Sequence, residues 1–188
     1  MEKVRIDFRD QIASNKRKSY FLMFIVFIVI IGLGYVITLA TDPGLFFVIM
    51  IIASLFSIIY VWASFYNSHK IAIASVGAKK ASEEKYKEYH RLVEGLTIAS
   101  GMPKPQLYVM NSPQINAFAS GRDPKNAVIC VTEGALTKLE KRELEGVLAH
   151  ELGHIASYDM RYMTLVAVMV GAIIFSSIAD CCLRPGRF

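Results

Sequence analysis

The sequence predicts an α+β soluble domain carried on a mainly α-helical membrane anchor, and three observations lead there. Two uncharged apolar runs lie near the N-terminus, residues 20–39 (YFLMFIVFIVIIGLGYVITL) and 44–66 (GLFFVIMIIASLFSIIYVWASFY). Short β-branched runs then mix with amphipathic helical patterns over residues 67–161. Within that segment stands AHELGH, two histidines four residues apart with a glutamate after the first.

Each apolar run is long enough to cross a hydrocarbon core of about 30 Å as a helix. The first exceeds the apolar core of a cleaved signal peptide, and the second follows after four residues, so the first reads as a signal anchor. Lys3, Arg5, Arg9, Lys16, Arg17 and Lys18 precede it, Asp42 is the only charge in the connector, and Lys70, Lys79 and Lys80 follow the second run. The positive-inside bias therefore expects residues 1–19 and the region from 67 onward in the cytoplasm. A third apolar run, 163–179, sits at the short end of spanning length. Crossing is the expectation, with a re-entrant path or packing inside the soluble part as alternatives, and 180–188 forms a tail.

With 54% hydrophobic residues yet 21 Lys+Arg, the composition suits neither a purely soluble domain nor a bare membrane bundle. The pI of about 9.1 follows from membrane orientation. Basic residues flank the spans or interleave with Glu and form no basic face with stacking aromatics, which argues against nucleic-acid binding. Cys130, Cys181 and Cys182 offer neither a disulfide framework nor metal-ligand spacing, in keeping with a cytoplasmic domain.

In the soluble segment, residues 82–100 read as one amphipathic helix, with Ser82 as N-cap, Tyr86, Tyr89, Val93 and Leu96 on one face, and Gly101 ending it. Gln106–Met110 (QLYVM) and Ala127–Thr132 (AVICVT) read as strands. The intervening SPQINAFASGRDPKN reads as a turn-rich loop. From Thr132 to Ser157 the pattern is helical, broken near Leu139–Glu143, so that the motif helix covers about 140–157.

On a helix, His150 and His154 stand roughly 40° apart on one face, close enough for both imidazoles to bind one ion. Leu144, Leu148, Leu152 and Ile155 gather on another side, whereas Gly146, His150, Gly153, His154 and Ser157 share the open one. Glycine there leaves room for an ion, a water and a substrate backbone. Glu151 is placed to take a proton from an attacking water and return it to a departing amine, while zinc would acidify that water and polarise the scissile carbonyl. A di-iron carboxylate bundle would need a second ExxH, which this chain lacks. His69 and His90 read as ordinary interfacial or surface histidines.

Taken with the tandem spans, PQLYVMNSPQINAFASG with its NAFA core, AVICVTEGAL, and AHELGHIASYDM running into an apolar segment, the chain resembles the HtpX-type heat-shock metalloproteases of bacterial inner membranes, relatives of the CAAX prenyl proteases. The resemblance implies a zincin-like, gluzincin-type cytoplasmic domain on a multi-pass inner-membrane anchor. It implies one zinc held by His150 and His154, with Glu151 as catalytic base. It further implies an edge strand at 127–132, whose Ala127, Val128, Ile129, Cys130 and Val131 pair with an extended polypeptide substrate, and a cleft lined by Asn116 and Ala117; Asn116 reads equally well as a turn residue.

The family takes its third ligand, a glutamate, from a helix further downstream, and no residue of this chain matches it. Asp159 would fall roughly 160° from the histidines if the helix continued, so it is expected to hold the helix end rather than bind zinc. Asp180 lies beyond the third run. The expectation is an N-terminal portion of a longer, membrane-anchored zinc endopeptidase that hydrolyses damaged or misfolded membrane proteins at the cytoplasmic face as part of the stress response. The alternative is a catalytically silent product that binds membrane clients or partners without cutting them.

Overall fold

The computed structural model describes residues 8–39 and 43–166. Most of the third apolar run, and the tail with Asp180, Cys181 and Cys182, therefore lie outside the described residues. Helix α1 spans Phe8–Leu39 and α2 spans Phe46–Ser75, joined through a short 3-10 turn at Pro43–Leu45. Both are long and apolar enough to cross a membrane. They run antiparallel: Gly34 lies against Ala53, and Ser57 is within 3.5 Å of the Phe27 carbonyl. A side chain at Gly34 would collide with the Ala53 methyl, so the glycine sets how near the two backbones come. Phe24, Ile28, Phe47, Ile51 and Ile59 stay exposed along the pair, as expected of side chains that face lipid.

The α+β part is a four-stranded mixed sheet with helices on one face. Strands β1 (Lys79–Lys80), β2 (Gln106–Met110), β3 (Ala117–Gly121) and β4 (Ala127–Thr132) lie in the order β1-β2-β4-β3. β2 and β4 are parallel, and the two outer pairings are antiparallel. Among the described residues, helices α3 (Lys87–Ser100), α4 (Glu133–Lys138) and α5 (Lys141–Ser157) accompany this sheet.

Period-two alternation divides β4 between two cores. Ile129 and Val131 meet Val93, Tyr89, Leu144, Leu148 and Ile155 from α3 and α5, while Val128 and Cys130 meet Ile73 at the end of α2, with Tyr108 and Phe118 beside them. Burial on both faces explains why AVICV is an unbroken apolar run. It also means that α2 passes from its apolar span directly onto the sheet, which ties the anchor to the domain without a linker.

Three expectations need correction. Helix α3 begins at Lys87 rather than at Ser82, because residues 83–85 form a turn that carries Lys85 and Tyr86 to Glu133, at 3.2 and 2.9 Å. The supposed loop 112–126 contains strand β3. And β4, with Ala127, Val128, Ile129, Cys130 and Val131, is not an edge strand: β2 occupies one of its sides and β3 the other, leaving no backbone groups there for a substrate to pair with.

Candidate metal centre

Helix α5 begins where the Glu143 carboxylate accepts the Glu140 N–H at 2.9 Å. Leu144, Leu148, Leu152 and Ile155 bury one side of it in the core, and His150 and His154 stand on the open side. A Cβ added at Gly146 or Gly153 would meet nothing within 4 Å, so the face is open where the histidines need it. Their Nε2 atoms are 3.1 Å apart, with the ring planes at 82°. Two zinc–nitrogen bonds of about 2.05 Å at a tetrahedral angle place the nitrogens about 3.3 Å apart, so the pair is spaced to share one ion.

The feature that periodicity alone misses is the aim of His154. The helix stops at Tyr158, which takes a left-handed conformation with φ of 61°, and helical geometry resumes over 159–166. A non-glycine residue there costs on the order of 1–3 kcal/mol, so its surroundings must hold it. The break turns Asp159 back toward the histidines, and its carboxylate sits 2.8 Å from His154 Nδ1. Asp159 thus lies against His154 instead of about 160° away, because the helix does not continue through Tyr158. A hydrogen bond donated by Nδ1–H to that carboxylate keeps the proton on Nδ1 and leaves the Nε2 lone pair free, the tautomer in which Nε2 can bind a metal.

Glu151 lies between the open and buried faces, 9% exposed. Burial pushes its carboxyl above the ordinary value, while the His154 and His150 rings and the backbone N–H of Ala119 pull the other way. Such a carboxyl holds a proton more readily than an exposed one, which suits it to proton exchange. Among the described residues, no group of three or more His, Cys, Asp and Glu gathers as a complete metal site. His150 and His154 therefore fit two positions of a metal shell and leave the rest open.

Beside this helix lies β3, an outer strand of the sheet among the described residues. The Asn116 carbonyl accepts the Thr132 N–H at 3.0 Å, so by antiparallel alternation the backbone groups of Ala117 and Ala119 point away from β4. The Asn116 side chain accepts the Ala117 N–H at 2.9 Å, and the Ala119 N–H faces Glu151. Ser120 Oγ accepts from Thr164 Oγ1 at 3.1 Å, which fixes the strand to the helix beyond the break. Ala117 thus opens the strand that borders Glu151 and Asn116 directly precedes it, whereas residues 127–131 lie one strand inward.

Two helices long and apolar enough to cross a membrane, followed by an α+β domain whose helix α5 pairs two histidines, set the class of protein, a membrane-associated domain with a candidate metal centre. Within that class, residues 83–186 match the model of peptidase family M48, and the chain belongs to that family. It is 43% identical over 162 residues to a protease HtpX homolog of Caldanaerobacter subterraneus subsp. tengcongensis, covering 86% of this chain and 54% of the relative. A protease HtpX homolog of Dictyoglomus turgidum is 40% identical over 167 residues (89% and 54% covered). One of Streptococcus pneumoniae is 34% identical over 165 residues (87% and 54% covered). The chain spans about half the length of these relatives.

Proposed function

We propose that this chain forms the membrane anchor and the two-histidine part of a zinc endopeptidase that, at its relatives' full length, hydrolyses misfolded or damaged membrane proteins at the cytoplasmic face of a bacterial inner membrane. The observation that carries the reading is the His150–His154 pair, 3.1 Å apart at Nε2, with Asp159 on His154 Nδ1. Zinc bound there would polarise the scissile carbonyl and acidify the attacking water. Glu151 takes the proton of that water and delivers it to the leaving amine, a role its raised affinity for protons favours. An extended polypeptide adds to β3 through the outward carbonyls of Ala117 and Ala119, so recognition rests on backbone and tolerates many sequences. The basic residues before the first span support the cytoplasmic assignment.

A full-length protein should cut casein in a chelator-sensitive way, and Glu151→Ala should abolish the cutting. Equal cutting by both would contradict the assignment. A second reading, that the 188-residue chain is itself silent and only binds clients, is favoured by the lack of a third ligand among the described residues. Chelator-sensitive cleavage by the purified 188-residue chain, absent in Glu151→Ala, would exclude it.

A further inference from the structure

The segment that carries the left-handed break is held from outside its own domain. Asn15, on the part of α1 that precedes its apolar run, donates from Nδ2 to the Ser157 carbonyl at 3.0 Å. Lys16 places its ammonium 4.3 Å from the centre of the Tyr158 ring. One turn further on, Arg161, 5% exposed, lies with its guanidinium 4.6 Å from the ring centres of both Tyr20 in α1 and Phe65 in α2. These contacts bracket Tyr158 and Asp159. They also satisfy a helix-end carbonyl and set a cation over a ring at the negative end of α5.

We infer that the N-terminal end of α1 is a positioning element of the metal centre: Asn15 and Lys16 hold the break at Ser157–Tyr158 and so keep Asp159 on His154. The chain of contacts runs from α1 to Tyr158, from the break to Asp159, and from Asp159 to the His154 ring. Without the clasp, α5 would gain nothing from a tyrosine in the left-handed region and would relax at its last turn, carrying Asp159 off the imidazole. The anchor then does more than tether. It selects the tautomer in which His154 presents Nε2. The metal role of that nitrogen rests on the function proposed above, but the tautomer does not.

The test uses the whole 188-residue chain in detergent micelles with 15N-labelled histidine, at fixed pH 8 and without metal, where ring nitrogen shifts report which nitrogen carries the proton. In the unsubstituted chain His154 should be protonated at Nδ1. The Asn15→Ala/Lys16→Ala pair should move it toward the Nε2–H form that free imidazole prefers, as should Asp159→Ala. Lys16→Arg, which keeps a cation over the ring, and Lys18→Ala, on an exposed position of the same helix, should leave it unchanged. Should the double variant lose its helical circular dichroism, Asn15→Ala alone carries the comparison. Retention of the Nδ1–H form in the clasp variants, or its absence from the unsubstituted chain, would overturn the inference; a fall in thermal stability without a change of tautomer would count as retention.

A zinc titration of the same samples separates this inference from the function. The clasp variants should bind zinc about tenfold more weakly, and should add no further loss to Asp159→Ala, since both act through one contact. Loss in the clasp variants that adds fully to that of Asp159→Ala would contradict a route through Asp159. If zinc leaves the His150 and His154 signals of the unsubstituted chain untouched, the metal reading fails while the tautomer comparison still decides the clasp.

Discussion

His154 illustrates how one backbone angle decides the use of a side chain. On a continuous helix Asp159 faces away from it, and only the left-handed Tyr158 brings the two within 2.8 Å. The sequence makes the HELGH helix legible through its four buried apolar positions, but it carries no glycine or proline at 158 to announce the break. Asp159 was therefore legible as a residue near the helix end and illegible as the partner of a histidine. Removing that partner by Asp159→Ala should weaken zinc binding about tenfold to a hundredfold, as read by chelator competition, while the fold persists. Cys130 is a second residue with a clear expectation. Burial pushes its thiol up to about 11, so at pH 8 the folded chain holds it protonated and unreactive. Peptide mapping after iodoacetamide should find Cys130 unmodified unless the chain is first denatured. Because the folded value lies above the unfolded one, the associated stability is intact below about pH 9 and is lost as pH rises toward 11.

At the scale of elements, legibility followed the strength of the pattern. β2 and β4 are β-branched and apolar, and their composition marks both with their observed bounds. β1 is two exposed lysines and β3 is AFASG; neither has a strand-like composition, and each exists because a neighbour offers it a ladder. Missing β3 is what moved the substrate edge one strand inward. The contact between that edge and Glu151 can be tested with Ala119→Pro. The Ala119 N–H points away from β4, so proline keeps the sheet ladder, as edge positions allow, and removes the donor facing Glu151. Cleavage by the full-length protein should fall about tenfold or more with zinc binding retained. Unchanged cleavage would mean that Glu151 works without the Ala119 N–H. Gly134 is the tightest point of the turn into α4: its N–H donates to Ser112 at 2.9 Å, and an added Cβ would run into the Pro113 and Gln114 carbonyls. Gly134→Ala should cost about 1–3 kcal/mol in denaturant unfolding.

For the whole molecule, both anchor helices make side-chain contacts with the domain. α2 supplies Ile73 to the sheet's second core, and Arg122 lies 4.6 Å from the Tyr66 ring. α1 reaches the last turn of the motif helix through Asn15. Under the function proposed above, these contacts set the distance between the metal centre and the apolar spans, which suits substrates that are themselves held in the membrane. The central claim, that His150 and His154 share one zinc, is tested most directly by counting tightly held zinc in the detergent-purified full-length protein beside its His154→Ala variant. Zinc that saturates at one per chain and is lost in the variant is the predicted result. Equal zinc in the two proteins, or none in either, would contradict it.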